Sequence, residues 1–218
     1  MKALLFDACD ILYHRPRFEQ DLDSFFGPQR RRIRLEKSDE FNALQAQTAT
    51  GKLSVQEMMD SMLDLYGLAS DRRDQGCRFL SDAMADVDFF DGVSPALHAL
   101  KADGFKLAVV TNSFQRSATK LSWFANVGID SVWDAFISSS ETGILKPAPK
   151  SYLAALEQLD CAPSQAAFVA HAANELEGAK AVGLTTVAFN RDDPSVCADH
   201  IIEQFGELVD LARRLPIE

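Results

Sequence analysis

The chain has 218 residues, of which 47% are hydrophobic and 25% charged, and it carries a formal net charge of −10. These values are typical of a globular protein, and the acidic balance excludes a basic nucleic-acid-binding surface as its main feature, while a small anionic substrate remains compatible with it. The lack of an apolar run of ~20 residues, of a signal-peptide pattern and of CxxC spacing predicts a cytoplasmic protein with free thiols and no membrane partner.

The first predicted strand is the buried run ALLFD, residues 3–7, which ends on Asp7. A predicted helix with Ser94 as its N-cap and Pro95 in its first turn ends at Gly104, just before the second strand. Strand patterns follow at 106–111, 134–139, 166–170 and 185–189, with helices predicted at 149–159 and 174–182. Buried apolar strands that alternate with helices predict an α/β fold with a doubly wound parallel sheet and right-handed crossovers.

Residues 14–88 interrupt this alternation, since they carry helical patterns and no convincing strand. Amphipathic helices are predicted within 21–27, 38–51 and 54–68, and Ser54 with Glu57 forms a capping-box pattern at the start of the last. We therefore predict two domains: an α/β core formed by 1–13 and 89–218, and an inserted α-helical cap formed by 14–88.

Polar side chains stand where the predicted strands end, which is where open parallel sheets bind ligands. They are Asp7, Thr111, Asn112, Ser113, Lys146, His171 and Glu175. A carboxylate can attack phosphorus or an activated carbon and form a covalent intermediate. A hydroxyl and an ammonium can hold the anionic oxygens of the transferred group, and further acids can hold Mg²⁺.

Four segments, in order along the chain, carry a family resemblance: FDACDIL, VVTNS, KPAPKSY and FVAHAANELEGAKAVGL. They resemble the four motifs of the haloacid dehalogenase-like (HAD) hydrolases that have a helical cap inserted after the first strand. The resemblance covers nearly the whole chain. It implies a Rossmann-like core with a cap domain and a small anionic substrate.

The resemblance also implies roles for individual residues. The catalytic group is Asp7 as nucleophile, with Thr111, Asn112 and Lys146. The substrate-binding residues are Cys9, Asp10, Ser113 and His171. Asp7, Cys9 through its backbone carbonyl, and Glu175 are the expected ligands of Mg²⁺.

The first and fourth motifs depart from both branches of the family. Cys9 stands where phosphatase relatives have a general acid, and Asp10 and Ile11 stand where they have Gly and Thr. His171 takes the position of their first metal-binding Asp. The dehalogenase branch lacks the second motif I acid and uses no metal, but it has Ser and Asn where this chain has Ala170 and Ala172.

Three functions follow from these motifs. The leading prediction is a phosphatase that hydrolyses a small phosphorylated metabolite through an aspartyl-phosphate, with Mg²⁺. The alternatives are a metal-free 2-haloacid dehalogenase-like hydrolase and a catalytically impaired relative that binds a ligand.

The basic run RRRIRLEK, residues 30–37, lies in the predicted cap. Its simplest interpretation is a solvated helix face. The alternative is that one arginine of Arg30, Arg31, Arg32 and Arg34 contacts an anionic substrate, as a cap arginine does in dehalogenase relatives.

Overall fold

The computed structural model describes residues 1–215, which form eight strands and eleven α-helices. The strands are β1 (Ala3–Phe6), β2 (Tyr13–His14), β3 (Asp88–Phe89), β4 (Lys106–Thr111), β5 (Ala135–Ser138), β6 (Ala166–Ala170), β7 (Thr185–Ala188) and β8 (His200–Ile201). The helices are α1 (Phe18–Phe26), α2 (Arg30–Glu36), α3 (Ser38–Ala49), α4 (Val55–Leu65), α5 (Arg73–Ala85), α6 (Val93–Ala102), α7 (Ser117–Ala125), α8 (Ser139–Thr142), α9 (Pro149–Leu159), α10 (Ala173–Ala181) and α11 (Glu207–Arg214). Short 3₁₀ turns lie at Ser70–Arg72 and Pro163–Gln165.

Six of the strands form one parallel sheet in the order β5-β4-β1-β6-β7-β8. Strand β1 lies inside it, and all four of its residues are fully buried. Because side chains alternate across a strand, Leu4 and Phe6 pack with α6, α7 and α11, while Ala3 and Leu5 pack with α9 and α10 on the other face. The predicted doubly wound α/β fold is confirmed.

Helices α1 to α5 share a hydrophobic cluster of their own, which includes Leu22, Phe41 and Leu63. The predicted capping box is present at α4: the Glu57 amide donates to Ser54 Oγ over 3.2 Å, and the Ser54 amide donates to Glu57 Oε2 over 2.9 Å. These two bonds satisfy amides that the first turn of a helix leaves unpaired.

The prediction of no strand within 14–88 is wrong at both ends. His14 pairs with Asp88 in a small antiparallel sheet made by β2 and β3, which joins the core to the helical insertion. Strands of two residues are too short to show the alternation on which sequence recognition depends. The domain boundaries themselves stay a prediction.

Two further differences concern helix and strand ends. Ser94 is not the N-cap of α6, because Gly92, at φ +82°, occupies that position, and the Ser94 hydroxyl instead donates to the Val127 carbonyl over 2.9 Å. Strand β8, also two residues long, was absent from the predicted set. Within residues 1–215, no helix is long and apolar enough to cross a membrane.

Candidate active site

Asp7 follows β1 directly and stands between the ends of its two neighbouring strands. Its amide donates to the Val169 carbonyl of β6 over 3.0 Å, which extends the strand pairing and fixes the start of the loop. The side chain is only 8% exposed. Its Oδ1 lies 2.6 Å from Lys146 Nζ, and its Oδ2 lies 3.5 Å from His171 Nε2. The carboxylate therefore has a different cation on each oxygen.

Lys146 is buried and bridges two carboxylates. Its Nζ lies 2.6 Å from Asp7 Oδ1 and 2.7 Å from Glu175 Oε2. Asn112 holds the loop in place, because its Oδ1 accepts from the Lys146 amide over 2.8 Å and its Nδ2 donates to the Lys146 carbonyl over 3.0 Å. Asn112, predicted among the catalytic residues, thus contacts the backbone of Lys146.

The charges of this group shift the pKa values of both acids. Burial opposes ionisation of Asp7, but the charge of Lys146 and hydrogen bonds from His171 and Lys146 outweigh it and hold its pKa below the ordinary value. Burial raises the pKa of Glu175, and the negative charge of Asp7 adds to this, while Lys146 opposes it. Asp7 is therefore ionised at neutral pH, as a nucleophile must be.

His171, at the end of β6, connects Asp7 to Asp192. Its Nδ1–H donates to Asp192 Oδ1 over 2.6 Å, and its Nε2 faces Asp7. Burial would lower the pKa of the imidazole, but hydrogen bonds to Asp7 and Asp192 raise it to about 9. His171 is consequently an imidazolium at neutral pH while Asp7 is ionised.

Thr111 ends β4 and accepts a hydrogen bond from a buried lysine that was not among the predicted residues. Lys120 Nζ donates to Thr111 Oγ1 over 3.1 Å and to Tyr13 Oη over 2.8 Å. Burial lowers the pKa of Lys120 to about 8. A sequence signal existed: Lys120 stands three and four residues before Trp123 and Phe124, which places it on the buried face of α7.

The predicted cap arginines have partners inside the insertion. Arg30 contacts Glu19 and Asp23, Arg31 contacts Asp23, Arg32 contacts Glu36, and Arg34 donates to Asn42. Arg15, outside the predicted set, lies beside the site instead, with its Nη2 3.8 Å from Cys9 Sγ. Within residues 1–215, Arg15 forms no ion pair with an acidic side chain.

The remaining predicted residues shape the surrounding loops. Asp10 adopts φ +61°, a conformation that favours Gly, the residue that the motif resemblance implies for phosphatase relatives at this position, and that Asp tolerates. Ser113 is buried, and its Oγ accepts from the Gln115 amide over 3.0 Å. Burial raises the pKa of the Cys9 thiol. A cavity of about 140 Å³, which we call the small cavity, lies beside these loops. Its lining includes Cys9, Arg15, Ser113 and Lys120.

The arrangement does not fit the predicted Mg²⁺ site. The ammonium of Lys146 already joins the carboxylates of Asp7 and Glu175, which were two of the three expected ligands. Among residues 1–215 no group of three or more His, Cys, Asp or Glu side chains is placed to hold a metal ion. One of the two negative charges that would attract a cation is offset by Lys146, and His171 faces Asp7 as a second positive side chain.

The fold and the four motif segments described in the sequence analysis agree with the result of comparing the chain with protein families. Residues 1–183 match the model of the haloacid dehalogenase-like hydrolases, and the chain belongs to this family. The resemblance of its motifs is thereby confirmed.

Two curated relatives illustrate the range of the family. The chain is 34% identical over 135 residues to (S)-2-haloacid dehalogenase 1 of Pseudomonas sp. (strain CBS-3), which covers 62% of this chain and 58% of that protein. It is 29% identical over 149 residues to ribulose-1,5-bisphosphate 5-phosphatase of Halopiger xanaduensis, which covers 62% of each chain. The chain thus spans 58% and 62% of the lengths of these relatives.

A solved 2-haloacid dehalogenase from Pseudomonas syringae pv. tomato DC3000 has the same fold. It superimposes with a TM-score of 0.70 at 22% identity, over 98% of this chain and 99% of that one. The relatives include dehalogenases and phosphatases, so the comparisons define the family but leave the class of substrate open.

Proposed function

We propose that the protein is a metal-independent hydrolase of the 2-haloacid dehalogenase type, which forms an ester between Asp7 and carbon 2 of a small halogenated acid. The observation that carries this proposal is the pairing of Asp7 with Lys146 on one oxygen and His171 on the other. His171, at the position where phosphatase relatives have their first metal-binding Asp, places a positive charge beside Asp7 where those relatives would hold Mg²⁺. The similarity to an (S)-2-haloacid dehalogenase supports the same choice.

The substrate carboxylate binds to the two cations that line the small cavity, Arg15 and Lys120. Arg15 is suited to this role because no acidic side chain of the described residues neutralises it. A guanidinium binds a carboxylate through two parallel hydrogen bonds, and the ammonium of Lys120 adds a second positive charge.

The first chemical step is displacement of the halide by Asp7. Oδ2 is the less tightly held oxygen, at 3.5 Å from His171, and it attacks carbon 2 of the substrate. The new carbon–oxygen bond forms as the carbon–halogen bond breaks, and halide leaves with the electron pair. Oδ1, held by Lys146 at 2.6 Å, becomes the carbonyl oxygen of the ester.

The second step is attack of water on Cγ of the esterified Asp7. Lys146 stabilises the negative charge that develops on Oδ1. Esterification removes the charge of Asp7, one of the two acids that raise the pKa of His171, so the imidazolium releases its proton to solvent and regains one when Asp7 is again a carboxylate. The neutral imidazole in between is a base able to accept a proton from water. His171 then returns this proton to the leaving oxygen, and the 2-hydroxy acid departs. Asp7 loses the second proton of the water to solvent and is again a carboxylate.

The test is halide release from 2-chloropropanoate and 2-bromobutanoate in the presence of EDTA. We expect turnover that is unaffected by the chelator and absent in Asp7→Asn. A single turnover in H₂¹⁸O should leave ¹⁸O in the peptide that contains Asp7, because water attacks the enzyme's carbonyl carbon. Halide release with no label in this peptide would contradict the ester mechanism.

Hydrolysis of a small phosphorylated metabolite is the second candidate. It is supported by the Thr111 hydroxyl and the Lys146 ammonium, which suit phosphoryl oxygens, and by the similarity to a phosphatase. Phosphate release that requires added Mg²⁺ and stops with EDTA would favour it over dehalogenation. A protein that binds such anions but turns over neither class of substrate would instead be the impaired, ligand-binding relative.

A further inference from the structure

A larger cavity lies inside the helical insertion, and we call it the cap cavity. Its volume is about 240 Å³. Its lining is mainly apolar and comes from helices α1 to α5, with Leu22, Phe41, Met58, Met59 and Leu80 among its walls. Methionine side chains are unbranched and flexible, so such a lining adapts to the shape of an apolar guest.

The cap cavity and the small cavity beside the active site share walls. Arg15, Met84 and Phe114 line both of them. The small cavity is also lined by Asn112, which holds the backbone of Lys146, and by Lys120, which contacts Thr111. One end of the cap cavity therefore adjoins the groups around Asp7.

The charges along these walls are arranged unevenly. Arg30, which is buried on the cap cavity wall, is neutralised by Glu19 and Asp23. Arg15, at the shared wall, forms no ion pair with an acidic side chain among residues 1–215. A molecule that spans both cavities thus meets the charge of Arg15 where they adjoin. Beyond it, the walls are mainly apolar and include the polar side chains of Arg34 and Gln45.

We propose that the cap cavity holds the alkyl chain of the substrate, so that the protein acts on 2-halogenated acids with a medium-length unbranched chain in preference to two- and three-carbon acids. This inference rests on the proposed function, which supplies the reaction of Asp7 with carbon 2 of a 2-halogenated acid. The carboxylate binds Arg15 and Lys120, carbon 2 faces Asp7, and the chain enters the insertion between Met84 and Phe114. Burial of the chain supplies binding energy that a short acid lacks.

The first test is a series of 2-bromoalkanoates from propanoate to decanoate, assayed by bromide release. Each buried methylene is expected to raise kcat/KM about fourfold until the cavity is full, after which kcat/KM falls. Values that stay level or decline from propanoate onward would overturn the inference.

The second test blocks the cavity from two different helices. Leu22→Trp on α1 and Met59→Trp on α4 should each lower the ratio of kcat/KM for 2-bromooctanoate to that for 2-bromopropanoate at least tenfold. Leu35→Trp is the matched control, because Leu35 lies on α2 in the same insertion and is 77% exposed. It should keep the wild-type ratio. Thermal melts establish that each variant is folded, and unchanged ratios in two folded cavity variants would overturn the inference.

The third test separates this inference from the proposed function. Calorimetry of the wild-type protein with butanoate and octanoate measures chain binding without any chemistry. If no bromide is released but octanoate binds more tightly, and Leu22→Trp removes the difference, the proposed function fails and the cavity inference stands. If bromide is released but the two acids bind equally, the function stands and the cavity inference fails.

Discussion

The ion pairs of the core site and the surface ion pair of α2 in the helical insertion differ in how far water reaches them. Lys146 is 1% exposed between Asp7 at 8% and Glu175 at 12%. Arg32 and Glu36, on α2, are 73% and 60% exposed and 3.8 Å apart. A buried ion that loses its partner keeps its full desolvation cost, whereas an exposed ion is screened by solvent. The buried charges around Lys146 therefore hold the core site together, whereas Arg32 and Glu36 form part of a solvated surface.

The largest expected effect comes from removing the shared ammonium. Lys146→Met leaves the buried carboxylates of Asp7 and Glu175 without their cation, so we expect a loss of ~3–5 kcal/mol in the free energy of unfolding and no detectable turnover. Urea unfolding and halide release measure the two effects. The control is Lys101→Met, which breaks the ion pair of Lys101 with Asp134. Both side chains of that pair are about one-third exposed, so the free energy of unfolding should change by no more than ~1 kcal/mol. Equal destabilisation of the two variants would contradict the expectation that buried ion pairs matter more to stability than exposed ones.

The next effect concerns the two arginine environments. Arg15→Met removes a cation that forms no ion pair with an acidic side chain among residues 1–215. We expect KM for a 2-haloacid to rise about tenfold to a hundredfold, by the ~1.5–3 kcal/mol of a hydrogen bond to a charged group. Arg32→Met should leave KM unchanged, because that side chain is exposed and its ion pair is with Glu36, on the same helix. Steady-state kinetics on both variants check this. A larger KM change for Arg32 would return the substrate contact to the basic run.

A third effect is the pH dependence contributed by His171. Its ordinary pKa is 6.5 and its folded-state pKa is about 9, so the folded protein holds a proton that the unfolded chain releases. This stabilisation is complete below pH 6.5 and is lost as the pH rises through 9, with a slope of up to ~1.4 kcal/mol per pH unit. We expect the free energy of unfolding to fall between pH 6.5 and 8 in the wild type.

The matched variants for this slope are His171→Gln and His98→Gln. His98 is exposed and contacts the Gly128 carbonyl, so its variant should keep the wild-type slope, while His171→Gln should lose it. The range ends at pH 8 because the pKa of Lys120 is lowered to about 8, and its deprotonation in the folded state acts in the opposite direction above that pH. A wild-type slope in His171→Gln would remove His171 as its source.

The smallest effect is expected at Lys120. Lys120→Met removes a charge that burial disfavours, but it also takes a donor from Thr111 and Tyr13. These two contributions oppose each other, so stability should change by no more than ~1 kcal/mol, while kcat/KM for a 2-haloacid falls about tenfold. Chemical unfolding and kinetics on the same samples measure both. A large loss of stability with normal kcat/KM would show that Lys120 serves the fold and not the site.

The sequence was sufficient to predict those features that depend on residues close together along the chain. Asp7 and Thr111 each follow a buried apolar run, and the Ser54–Glu57 capping box spans three residues, so their settings follow from neighbouring positions. Lys120 and Tyr13 are separated by 107 positions, and only the folded chain brings them together. The same holds for Asp192, which orients His171 from a loop after β7. The predicted Mg²⁺ ligands did not account for Lys146, whose position between the two acids depends on Asn112 holding a distant loop.

Because Lys146 bridges Asp7 and Glu175, the cation between these two acids is a covalent part of the protein. A cation that belongs to the polypeptide is present at one equivalent in every molecule and is not removed by dialysis or by chelators. It does not exchange with other divalent ions, and its occupancy does not depend on their concentration in the surrounding medium. The positive charge between Asp7 and Glu175 is therefore in place as soon as the chain has folded.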